Sequence, residues 1–142
     1  MRLDDYARAL IGHATDATLV TLNPDGSPQV SVVWITLQTT AEGEDEIVTA
    51  HLGEHRKVRN VRRDPRVALT VLSLDRSGPM TPYLSIRGTA RVEEGGAPEL
   101  LAELARTMIG PNAKFPPTDD PPPGYLTRIT IDAIGGVGPW VG

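Results

Sequence analysis

The sequence predicts a mainly β protein: a small antiparallel barrel of six strands with short helices between them. Three observations carry that prediction. Six segments are rich in β-branched residues, and their connections are mostly hairpin-like. The longest of them, "YLSIRGTARVEE" (83–94), alternates along its length and carries Gly88 at its middle, where a closing barrel needs a bulge or bend. No internal repeat or second domain is visible, so residues 1–142 read as one domain.

The elements follow in order. Leu3, Tyr6, Ala7, Leu10 and Ile11 recur at i, i+3, i+4, i+7 and i+8, the stripe of a short amphipathic helix. "ATLVTL" (17–22) and "PQVSVVWITL" (28–37) read as strands joined by "NPDGS", in which Asp25 and Gly26 are hairpin residues. "EGED" is a second turn and "EIVTAHL" (46–52) a third strand. Gly53 breaks it before a basic helical segment, 54–63, whose Val58 and Val61 face inward. Asp64-Pro65 ends that helix and a strand follows in "DPRVALTVLSL". After 83–94 comes the clearest helix, "APELLAELARTMIG", with Leu100, Leu101, Leu104 and Met108 inward and Gly110 as its stop. "PNAKFPPTDDPPPG" (111–124) reads as a proline-rich surface loop, expected to be flexible rather than packed. "YLTRITIDAI" (125–134) is the last strand, ahead of a glycine-rich tail.

"VSVVWI" (30–35) is apolar on both faces of its strand, which one thin layer cannot cover. Either a helix lies across the outside or a second subunit does, and in a chain this small a homodimer is the expectation.

Composition narrows the function. With 14 Lys and Arg against 18 Asp and Glu the net charge is -4, which argues against a general nucleic-acid binder. There are no cysteines, hence no thiolate metal site. "MRLDDYARALIGH" lacks signal-peptide character and no apolar run reaches membrane-span length, so a cytoplasmic protein is expected.

Against that acidic background, residues 56–66 hold Arg56, Lys57, Arg59, Arg62, Arg63 and Arg66 with one acid, Asp64. A local reversal of sign points to a local anionic partner. Arg56 and Lys57 fall in the first turn of their helix, where free N–H groups and the helix dipole already favour an anion. Asn60, one turn on, is expected on the same face. Phosphate is the anion these groups suit, though a solvated basic face is the plain alternative. His51-Leu52-Gly53-Glu54-His55 spells the zinc motif H-x-x-E-H, but Gly53 interrupts the helix that motif needs, and no metal site is expected. No Ser/His/Asp set or carboxylate pair suggests nucleophilic or acid–base chemistry.

The ordered blocks "GxPxVSxVW…TA…HRKxRNxRRDPRVxLT…YxxIxGxAxV" resemble the pyridoxamine-5′-phosphate-oxidase-like split β-barrels. Within these they are most similar to the flavin/deazaflavin oxidoreductases typified by actinobacterial F420-dependent proteins. The resemblance covers roughly residues 5–93 and resumes at "RITIDAI…GPW", while residues 96–124 show none. It implies a six-stranded split β-barrel homodimer with a cofactor at the subunit interface and a cofactor-binding core at about 15–93.

It also implies site residues. Arg56 and Lys57 would grip the cofactor phosphate, with Asn60 and Thr49 as polar partners. Gln29, Ser31, Val32 and Trp34 would edge and wall the ring, and Tyr83 and Trp140 would approach from the partner subunit. His55 departs from the serine of the flavin oxidases and from the arginine of some deazaflavin relatives. From the residues alone, Gln29 and Ser31 read equally as the outward half of an alternating strand, and Trp34 as a core or interface aromatic. The expected cofactor is F420, with FMN as the alternative, and Arg59, Arg62 or Arg63 could meet the anionic F420 tail. The expected activity is hydride transfer from the reduced deazaflavin to an unsaturated organic substrate. Rival readings are an FMN-dependent oxidase or reductase and a non-catalytic cofactor carrier.

Overall fold

A computed structural model describes residues 1–141. Its elements are α1 (Asp5–Ile11), β1 (Thr15–Leu22), β2 (Pro28–Thr39), β3 (Asp45–His51), α2 (Arg56–Arg63), β4 (Arg66–Leu72), β5 (Tyr83–Glu94), α3 (Ala97–Met108) and β6 (Tyr125–Val137). The six strands close into an antiparallel barrel in the order β1-β2-β3-β6-β5-β4. Closure leaves no open sheet edge at either end of the strand order, which is how a small all-antiparallel sheet avoids pairing with other chains. Among the described residues no helix is long and apolar enough to cross a membrane.

Alternation sets the core. Leu19, Ile35, Ile47, Val71, Leu84 and Ile129 point inward and are fully buried. α1 plugs one end: Leu3, Ala7 and Ile11 join the barrel core, while Tyr6, expected on the same stripe, is exposed. Asp4 caps α1, its carboxylate accepting the Ala7 N–H at 2.8 Å. Buried Asp45 then ties the N-terminus to the barrel, accepting from Leu3 N–H (2.8 Å), Arg8 (2.6 Å) and Thr39 (2.7 Å). Burial opposes its charge, but the hydrogen bonds from Arg8, Thr39 and Leu3 outweigh it and hold its carboxyl below the usual range.

Gly88 does sit at an irregularity: the β5–β6 register shifts between Arg87 and Gly88. A Cβ at Gly88 would lie 2.5 Å from Ile129 Cγ2 and 2.6 Å from the Thr130 carbonyl oxygen. The second contact is backbone and has no room to yield. Gly88→Ala is therefore expected to destabilise the fold by about 1–3 kcal/mol, as overpacking does. Urea unfolding checks it, and an unchanged midpoint would contradict the close approach.

The doubly apolar strand is covered only in part. α3 lies over β2 and β3, where Leu100 and Leu104 pack with Val48 and Leu126, and Trp34 rests against that cluster. Farther along the same outer face nothing lies over Val30 (58% exposed) and Val32 (69%), or over Leu72 (56%) and Leu74 (92%) nearby.

Residues 111–124 form no helix or strand and are mostly exposed, but the expectation that they stay unpacked is corrected at Phe115 and Pro116. Phe115 is half-buried and Pro116 is buried. The aromatic ring of Phe115 has a partner in Trp34, which the sequence pattern alone did not reveal.

Candidate functional site

β2 pairs with β1 along Pro28 to Ile35, but with β3 only from Thr36↔Val48 to Thr39↔Asp45. Toward Val32 and His51 the two strands part, leaving the β3-side edge of β2 without a ladder partner. β3 turns instead to β6, with which it pairs through His51↔Tyr125. The gap opens into a cleft of about 340 Å³, within the usual range for small-molecule sites. Its walls include Val32 and Trp34 of β2, Thr49 of β3, Lys57 of α2, Leu101 of α3 and Phe115 of the proline-rich loop.

Lys57 is the cation of this cleft. It is half-buried, burial pulls its pKa down, and it makes no ion pair among the described residues. His55 occupies the N-cap of α2 without a capping hydrogen bond from its side chain. The first N–H groups of the helix, at Arg56 and Lys57, have no acceptor within it. The buried Thr49 completes the polar end of the cleft. An ammonium without a counterion beside free N–H groups fits an anion such as phosphate. An unpaired strand edge beside an indole fits the polar rim and flat face of a ring. The donor set thus suits a phosphorylated flavin-type cofactor.

The remaining expected residues are distributed differently. Gln29 and Ser31 lie on the opposite face of β2 from Val32 and Trp34, and that face is the inward one, shared with Val33 and Ile35. The outward reading of these two is therefore corrected. Gln29 Oε1 accepts from Thr21 Oγ1 at 3.0 Å, whereas the buried Ser31 hydroxyl has no hydrogen-bond partner.

Asn60 is also corrected. It is buried, its amide donates to Thr21 Oγ1 (3.0 Å) and Asn23 Oδ1 (3.1 Å), and its oxygen accepts from Arg63 (3.1 Å). Its hydrogen-bonding capacity pins α2 to the β1–β2 hairpin and is not free for a phosphate.

Arg56 does not line the cleft. It shares a neighbouring hollow with Pro24, Arg59, Asn60 and Arg63. None of the three arginines in that hollow makes a carboxylate ion pair among the described residues, whereas Arg62 is bridged to Glu54 (3.3 Å) and Glu94 (3.5 Å) and stacks over Tyr125. Arg62 thus leaves the set of free cations. Tyr83 and Trp140 lie outside the cleft of their own chain, joined by a 3.1 Å bond from the Trp140 indole N–H to the Tyr83 carbonyl.

His51 and His55 do not share a helix: one ends β3 and the other precedes α2. His51 is buried, with Nε2 3.2 Å from Thr127 Oγ1. Burial first, then the charges of Lys57 and His55, push its pKa down to about 3. Its neutral ring is unsuited to donating a proton as an imidazolium.

The unfolded chain binds this proton near pH 6.5 and the folded chain only near pH 3. The contribution of His51 to stability is therefore whole above pH 6.5 and is lost as pH falls toward 3. Between pH 7 and pH 5 the loss is about 2 kcal/mol. His51→Gln is expected to flatten the pH dependence of urea unfolding by that amount over this interval. An unchanged slope would show that His51 protonates freely in the folded protein.

The barrel, the parted strands and the anion-suited cleft suit a phosphorylated, flat-ringed cofactor. A family model described as "Pyridoxamine 5'-phosphate oxidase" matches residues 3–138, and the chain belongs to that family. Among solved structures it is similar to an F420 reductase, with 25% identity, a TM-score of 0.71, and coverage of 90% of this chain and 94% of that one. An FMN-binding protein from Syntrophomonas wolfei subsp. wolfei shares the fold at 17% identity, TM-score 0.62, covering 93% and 84% of the two chains. HupZ of Group A Streptococcus shares it at 15% identity, TM-score 0.66, covering 99% and 96%. No curated protein matches the chain.

Proposed function

We propose that this protein is an F420-dependent reductase, acting as a homodimer on an unsaturated organic substrate. The observation that carries the reading is Lys57, a half-buried cation with no acidic partner, placed where an unpaired strand edge and an indole meet. Likeness to an F420 reductase at 25% identity supports the choice of cofactor. When bound, F420 supplies the hydride chemistry, and the protein supplies position and electrostatics.

In this reading Lys57 and the first N–H groups of α2 hold the phosphate, with Thr49 beside it. The free edge of β2 orients the ring, and Val32 and Trp34 wall it. Arg56, Arg59 and Arg63 attract the anionic tail from the adjoining hollow, through interactions screened by salt. Tyr83 and Trp140 approach from the partner subunit. His51 stays neutral rather than imidazolium, so the proton of the reduction comes from solvent or another group.

FMN is the second reading, favoured by likeness to an FMN-binding protein of the same fold. Equilibrium titration with both cofactors separates them. F420 is expected to bind roughly tenfold more tightly, about 1.4 kcal/mol, because FMN is too short to reach the arginine hollow. Equal affinities, or an FMN that co-purifies and resists displacement, would exclude the F420 assignment.

A further inference from the structure

The motif blocks of the sequence pass over residues 96–124, yet these residues supply two walls of the cleft: Leu101 from α3 and Phe115 from the proline-rich loop. The Phe115 ring centre stands 5.4 Å from that of Trp34, with the planes tilted by 56°. Contact at this distance is normal for an aromatic pair in a core. Here both rings remain partly exposed, and both face the same concavity.

The loop holds Phe115 in place by several means. At its end, Gly124 (φ 61°) passes so close to β3 that a Cβ would come within 2.3 Å of the His51 carbonyl oxygen. The same stretch is tied to the start of α3: Gly95 N–H donates to the Gly124 carbonyl at 2.7 Å, and Ala97 N–H to the Pro123 carbonyl at 3.0 Å. Pro116, the next residue after Phe115, is buried. Lys114 and Asp119 pair across the loop at 3.0 Å. Six of the 13 prolines lie between 111 and 123, and each fixes φ in the unfolded chain as well as the folded one. The ring is thereby presented at low entropic cost.

We infer that Phe115 is a specificity-determining residue of the cleft: with Trp34 it forms an aromatic wall that selects a planar ring system. The inference rests on the cofactor reading above and extends it to a segment that carries none of the quoted motif blocks. Lys57 recognises charge and would accept any phosphate of suitable size. Phe115 and Trp34 add a preference that a bare phosphate cannot satisfy, because dispersion and quadrupole contacts need a flat partner.

The test compares wild type, Phe115→Ala, Phe115→Leu and Phe115→Tyr in titrations with F420, with FMN and with inorganic phosphate as competitor. Phe115→Ala is expected to lose about tenfold in affinity for whichever cofactor the wild type binds, with phosphate competition unchanged. Phe115→Tyr, which keeps the ring, should bind within twofold of wild type. Phe115→Leu keeps the apolar bulk and should fold normally, so it decides the matter if the alanine variant unfolds. It too should lose several-fold in cofactor affinity. Cofactor binding unaltered by loss of the ring would overturn the inference alone, as would an equal loss for phosphate. A wild type that binds neither F420 nor FMN would overturn the cofactor reading, and this inference with it.

Discussion

Lys57→Ala is expected to weaken cofactor binding by about 1.5–3 kcal/mol, the scale of a lost charge-assisted hydrogen bond. Lys57 gives up hydration on folding and gains no carboxylate in return. An arriving phosphate would supply the missing charge, so the ammonium should bind it more strongly than a solvated lysine could. Arg62→Ala removes the same charge five residues on and should cost less than about 0.5 kcal/mol of affinity. The Arg62 guanidinium is already engaged by Glu54, Glu94 and the Tyr125 ring. Isothermal titration of both variants at two salt concentrations separates a specific grip from a diffuse basic patch. Two equal, small, salt-sensitive losses would mean that α2 is only a solvated basic face.

Leu72→Asp is expected to dissociate the proposed homodimer, raising its dissociation constant at least a hundredfold. Val30 and Val32 on β2, with Leu72 at the end of β4 and Leu74 just beyond it, expose apolar side chains on either side of Asp16 and Thr18 of β1, and burying one such side chain contributes about 1.5–3 kcal/mol. In a two-fold symmetric interface each substitution acts twice, and a buried unpaired carboxylate adds its own desolvation cost. Leu72 does not line the Lys57 cleft, so any fall in cofactor affinity in this variant would report the partner's contribution. Light scattering at micromolar concentration is the check. A wild type of monomeric mass would remove both the interface and the role given to Tyr83 and Trp140.

The strands were legible because alternation and turn chemistry are local. "VTLNPDGSPQV" encodes its hairpin within a dozen residues, and Gly88 marks a bulge because only a missing side chain allows so close a crossing. α2 was legible for the same reason, down to Val58 and Val61 facing inward. Position on the far side of a contact was not. Asn60 lies near Arg56 and Lys57 by helical spacing, but Thr21 and Asn23, distant in sequence, turn its amide inward. The alternative reading of Gln29 and Ser31 as outward residues fails because polar side chains inside a barrel run against the alternation rule. The Gln29 side chain is satisfied by Thr21, a partner no pattern on β2 reveals.

The proline-rich loop misled most. Its composition resembles that of unpacked linkers, while its seating depends on one aromatic residue meeting Trp34 from 81 positions away. The charge reversal at 56–66 was visible at once, but which of its cations are free depended on where Glu54 and Glu94 lie. Only the folded chain separates Lys57 from Arg62.

A crystal structure of the protein with F420 decides whether the parting of β2 and β3 is the cofactor site. The phosphate is expected against Lys57 and the start of α2, and the ring along the free edge of β2 beside Trp34. A cofactor bound instead in the groove between Tyr6 and Trp140, or a cleft left empty at saturating F420, would contradict this placement.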